Sequence, residues 1–134
     1  MIVIGIDPGT ATTGYGIIEE DPVGKKSVIA YGTILTDSQE PIEQRLRIIY
    51  EEMTKIINLH RPESGAVEKL FFQKNVTNAI AVGQARGVML LALANAGIEV
   101  AEYTPNEVKQ SVSGYGSAEK KQVQQMVKTL LELS

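Results

Sequence analysis

Cysteine and tryptophan are absent from this chain of 134 residues, and histidine occurs once, at His60. Without thiols there is no disulfide framework, thiolate zinc site, iron–sulfur cluster or cysteine nucleophile, and one imidazole makes a histidine-based triad or multi-histidine metal centre hard to build. Long apolar runs are missing too. None approaches the roughly 18 residues of a membrane span, and Met1-Ile-Val-Ile-Gly-Ile-Asp7 has neither the basic opening nor the small-residue cleavage site of an export signal. The expectation is a chain without membrane contact, located in the cytoplasm. Against a prior of about 150 residues per domain, the length predicts one domain over residues 1–134. What remains for chemistry is carboxylates, hydroxyls and lysines.

Charge is unevenly spread. The net value is −3, but residues 1–68 hold eleven acids and six bases, whereas residues 69–134 hold five acids and seven bases. From Lys69 to Ile98 there is no acid at all, only Lys69, Lys74 and Arg86; Lys109, Lys120, Lys121 and Lys128 follow. A polyanion could sit on that half, although a solvated basic face is the plainer reading.

Ile2, Ile4 and Ile6 alternate with Val3 and Gly5 until Asp7, the pattern of a central strand apolar on both faces. Asp7-Pro-Gly-Thr10 is turn chemistry. Gly14 to Ile18 and Val28 to Leu35 read as two further strands of an antiparallel meander. Ile42, Leu46, Ile49, Met53 and Ile56 then recur at helical spacing, with proline stopping the helix after His60-Arg61. Ala66 to Phe72 reads as a strand interrupted by Glu68, and Thr77 to Asn95 as a helix apolar nearly all round, which must be covered on two sides. A partner subunit or complete burial within a monomer would each do so. Ile98 to Tyr103 reads as the fifth strand, Thr104-Pro-Asn-Glu107 as the start of a short helix, and Ser117 as the cap of a last one. The predicted class is α/β, a mixed five-stranded sheet with helices on both faces.

Asp7 ends one apolar strand and Glu68 interrupts another. A carboxylate among apolar neighbours calls for a base, hydrogen bonds, a proton or a cation. If the helix from Ile42 is a crossover, the strand carrying Glu68 runs parallel beside the first, and both carboxylates lie at matching ends. Such a pair suits Mg²⁺, with Mn²⁺ the other hard cation of this kind. An Asx turn at Asp7 and a lysine salt bridge at Glu68 are the plainer alternatives. Phe71 and Phe72 point to opposite faces of a strand, so one could stack on a nucleobase; both in the core is the simpler outcome. His60 reads as a helix-end residue, favourable to the dipole there.

Ile4-Gly-Ile-Asp-Pro-Gly-Thr10, Thr13-Gly-Tyr-Gly16, Ala66-Val-Glu68, Lys74-Asn75, Gly83-Gln-Ala-Arg-Gly87, Val108-Lys-Gln110 and Gly116-Ser-Ala-Glu-Lys120, in that order, resemble the RuvC family of crossover junction endodeoxyribonucleases. The resemblance runs from residue 2 to about 133. It implies a ribonuclease H-like fold and a homodimer that binds four-way Holliday junction DNA and nicks two opposed strands in recombination and repair. It further implies Mg²⁺ held by Asp7 and Glu68, Phe71 stacking near the crossover, and Lys109 and Lys120 beside the scissile phosphate. Lys74 falls in a matched segment of the acid-free stretch and is expected on the DNA. The helix carrying Arg86 matches the family's dimer-forming helix, and a branch-migration helicase is the implied partner. The family's remaining catalytic carboxylates lie on a last helix after a Leu-Leu-x-Leu segment. Here that segment is Leu130-Leu-Glu-Leu-Ser134, so the expectation is a domain truncated before that helix, and Glu132 does not match the missing motif.

A junction-binding module without catalysis is the alternative, since those carboxylates are not in the sequence. Gly5-Ile-Asp-Pro-Gly-Thr10 also resembles the first phosphate loop of actin-like ATPases and sugar kinases, which need a second lobe that 134 residues do not hold.

Overall fold

A computed structural model describes residues 1–68 and 76–103. The meander comes first: β1 (Ile2–Asp7), β2 (Thr12–Glu20) and β3 (Lys26–Leu35). Helix α1 (Ile42–His60) crosses to β4 (Ser64–Glu68), and α2 (Val76–Asn95) leads to β5 (Glu99–Tyr103). The sheet order is β3-β2-β1-β4-β5, with β1 antiparallel to β2 but parallel to β4, and β4 parallel to β5. The expected adjacency of the first and fourth strands is therefore present, because the α1 crossover returns the chain in the direction of β1.

Local chemistry sets the boundaries. Between β2 and β3, the Asp21 side chain accepts hydrogen bonds from the amides of Val23 and Lys25 at 3.0 and 2.8 Å, closing the turn. Helix α1 ends at Arg61, whose left-handed backbone (φ 50°) lets its N–H donate to the Ile57 carbonyl at 2.7 Å. His60 thus occupies the last turn rather than the cap position. β4 starts at Ser64, two residues ahead of the sequence reading, because the Glu63 amide already donates to Ile2 at 2.7 Å. Its expected continuation to Phe72, and the helices expected from Pro105 and Ser117, lie outside the described residues.

Both described helices pack on one face of the sheet. Ile4, Ile6, Ile17, Ile34 and Val67 meet Ile49, Met53 and Ile57 of α1 and Ala85, Met89, Ala92 and Leu93 of α2. Full burial of a large aliphatic side chain contributes about 1.5–3 kcal/mol, so this layer is the main source of stability among the described elements. Gly65 belongs to the same face: a Cβ there would lie 3.4 Å from both Ile4 and Leu93, so its absence sets how closely α2 approaches β4. At the rim, Asn95 donates to the Tyr50 hydroxyl at 2.7 Å and ties the end of α2 to α1. The helices expected to cover the opposite face lie outside the described residues.

Candidate active site

The opposite face changes character along β1. Alternation puts Val3, Gly5 and Asp7 there, beside Ile18, Gly16 and Gly14 of β2 respectively. Large side chains at the start of β1 give way to a directly paired Gly5 and Gly16, and then to Asp7 opposite Gly14. Asp7 has no side chain across from it on β2 and is exposed. This corrects the expectation of a carboxylate among apolar neighbours: the last residue of β1 projects where the sheet ends and its antiparallel partner is glycine.

β4 supplies the other half. Gly5 stands beside Ala66 and Ile6 beside Val67 in parallel register. One step further brings position 7 alongside position 68, at the carboxyl ends of two parallel strands, where α/β sheets place their ligands. Both positions have the parity of Gly5 and Ala66, opposite to the helix-covered face.

Among the described residues, no hydrogen bond or ion pair engages the Asp7 carboxylate. The Asx turn considered at this position is not formed, and no described residue engages the carboxylate oxygens. Asp and Glu are oxygen donors, so the residue types at positions 7 and 68 suit a hard divalent cation better than zinc. Among the described residues, no group of three or more potential ligands comes together. Phe71, Lys74, Lys109 and Lys120 lie outside the described residues.

The loop leaving Asp7 is held by threonines. The Thr13 hydroxyl, fully buried, donates to the Gly9 carbonyl at 2.7 Å and accepts from the Gly9 amide at 3.4 Å. Thr36, just past β3, donates its hydroxyl to the Thr10 carbonyl at 2.5 Å and its amide to the Ala11 carbonyl at 3.1 Å. Arg45, in the first turn of α1, donates Nε–H to the Thr36 hydroxyl at 2.9 Å. Gly9 is obligatory, because a Cβ there would collide with the Thr12 carbonyl oxygen. Thr10 Oγ1 is buried without a hydrogen-bond partner among the described residues. Such an orphan hydroxyl costs about 1–3 kcal/mol, so the loop conformation is one the surroundings must enforce. Sequence reasoning missed Thr13, Thr36 and Arg45. Thr13 lay inside a matched segment and was the one with a signal; Thr36 and Arg45 reach the loop from separate elements and carry none.

Residues 3–134 match the family described as crossover junction endodeoxyribonuclease RuvC. The chain is 53% identical over 133 residues to the crossover junction endodeoxyribonuclease RuvC of Heliobacterium modesticaldum, covering 99% of this chain and 82% of that protein. Among solved structures, T. thermophilus RuvC in complex with a Holliday junction substrate aligns with a TM-score of 0.78 and 32% identity, over 98% of this chain and 80% of that one. The yeast mitochondrial Holliday junction resolvase aligns at 0.65 with 12% identity, over 97% of this chain and 60% of its own, a likeness of fold alone. With the strand order above, these likenesses assign the ribonuclease H-like fold.

Proposed function

This chain belongs to the RuvC family of crossover junction endodeoxyribonucleases, metal-dependent nucleases, and we propose that it resolves four-way Holliday junctions by paired, symmetric nicks in DNA recombination and repair. The observation that supports the reading is the β1–β4 register, paired as far as Ile6 and Val67, whose continuation by one residue puts positions 7 and 68 level at the strand ends, in a chain matched to the family from residue 3 to 134. Asp7 and Glu68 hold a divalent cation, Mg²⁺ in the cell with Mn²⁺ able to replace it. A cation held by these two residues would supply Lewis-acid chemistry for phosphodiester hydrolysis, lowering the pKa of water and offsetting charge on the leaving oxygen. Lys109 and Lys120 neutralise charge on the scissile phosphate, Lys74 contacts the DNA backbone, and Phe71 stacks on a base near the crossover. Residues 1–134 act as one nuclease domain, in the cytoplasm, alongside the branch-migration helicase that the family resemblance implies.

Paired nicks need two sites, and α2 supports a homodimer. Its exposed positions 80, 84, 87, 91 and 94 form one stripe, occupied by Ile, Gln, Gly, Leu and Ala without a charge. Ile80 and Leu91 are 58% and 53% exposed on a helix whose other side is core. A second copy covering this stripe provides the second side that the sequence demanded. Leu91→Glu is expected to shift the chain to a monomer in sedimentation equilibrium; an unchanged dimer places the interface elsewhere.

The test of function is to incubate the chain with a labelled four-way junction and a matched linear duplex, with Mg²⁺ and with chelator. Junction-selective, Mg²⁺-dependent paired nicks are expected. Asp7→Asn is expected to lower cleavage by about 10²-fold or more while sparing junction binding. Junction-selective binding without nicks would reduce the chain to a binding module, and no preference for the junction would remove the reading altogether.

A further inference from the structure

No described residue hydrogen-bonds the Asp7 side chain, so among the described residues the aim of its carboxylate is set by the backbone on either side. On one side that backbone is β1, locked in the sheet; on the other it is the loop of residues 8–11. Three successive carbonyls of this loop, those of Gly9, Thr10 and Ala11, each accept a hydrogen bond from Thr13 or Thr36. The Thr36 hydroxyl has a single proton, and which way it points is decided from outside. Arginine Nε–H can only donate, so Thr36 must accept from Arg45 and its own proton is left for the Thr10 carbonyl. The direction of the relay is therefore fixed: Arg45 to Thr36 to the loop.

The geometry points to Arg45 and Thr36 as positioning residues, which lock the loop after Asp7 and so aim its carboxylate at the divalent cation. This role rests on the reading of Asp7 as a cation ligand. Neither residue needs to touch cation or DNA. They act as the outer partners of a metal ligand do, by restricting its orientation, except that here the restraint reaches the ligand through backbone. The conformation being enforced includes the orphaned Thr10 hydroxyl, which is why the loop needs an external tie.

Five variants of the full chain test this: Arg45→Ala, Thr36→Val, the double variant of these two, Thr36→Ser and Asp7→Asn. Each is titrated with Mn²⁺ in the absence of DNA, following free Mn²⁺ by electron paramagnetic resonance, and each is assayed for junction affinity. Arg45→Ala and Thr36→Val are expected to weaken Mn²⁺ binding by about 10-fold, with junction affinity unchanged. The double variant is expected to be no weaker than either single one, because both break the same chain of bonds. Thr36→Ser keeps the hydroxyl and is expected to retain native Mn²⁺ affinity. Native Mn²⁺ affinity in Arg45→Ala and Thr36→Val, when Asp7→Asn has lost it, overturns the relay and leaves Asp7 as ligand. Native affinity in Asp7→Asn overturns the ligand reading and the relay with it. Loss of junction affinity in Arg45→Ala but not in Thr36→Val overturns the relay in favour of a direct Arg45 contact with DNA.

Discussion

Beyond Val3 and Ile18, the two faces of the central strands carry opposite kinds of side chain. On the face under α1 and α2, β1 offers Ile4 and Ile6, β2 offers Ile17, and β4 offers Val67, all essentially inaccessible. On the other face the same strands offer Gly5, Gly16, Gly14 and Ala66, ending at Asp7 and the position of Glu68. Successive residues of one strand thus serve different ends. The aliphatic set supplies hydrophobic burial, which depends on area and packing, while the small set leaves space around a carboxylate that takes no part in holding the sheet together. Stability and chemistry can share a six-residue strand because the pleat separates them by one residue.

That division is open to attack from both sides. Ile6→Ala removes a fully buried side chain beneath both helices and is expected to cost about 2–5 kcal/mol, read from the midpoint of urea unfolding. Gly65→Val pushes new atoms into Ile4 and Leu93, and overpacking of this kind costs about 1–3 kcal/mol. Asn95→Ala cuts the exposed tie to Tyr50, for which a loss of about 0.5–1 kcal/mol is expected. Least of all should Asp7→Asn matter to folding: its carboxylate is exposed and engaged by no described residue, so its unfolding midpoint should stay within about 0.5 kcal/mol of the parent, even as cleavage collapses. A large destabilisation by Asp7→Asn would mean that the carboxylate is part of the framework and would erase the contrast between the faces.

The elements were legible because each announces itself locally. Period-two aliphatics marked β1, the 42-46-49-53 spacing marked α1, and proline and glycine marked the breaks. Asp7 stood out as a candidate in the sequence because an acid closing an aliphatic strand is anomalous. Its environment was misjudged, since exposure depends on what lies across the sheet, and Gly14 became the neighbour only through the β1–β2 register. The uncharged stripe of α2 was visible as an excess of apolar residues, but which side of the helix would meet the sheet was not.

By itself the sequence determined the α/β class, the order of the described elements and the family, and it marked out two carboxylates as candidates, because periodicity, turn chemistry and residue type are properties of neighbours along the chain. Tertiary structure alone decided that Asp7 stands at the same level as Glu68, that glycine faces it, and that Arg45 and Thr36 reach the loop behind it from 35 and 26 positions away from Thr10. Those relations arise from strand register and from a helix crossing the sheet, where hydrogen bonds and packing act through space between segments that share no local pattern.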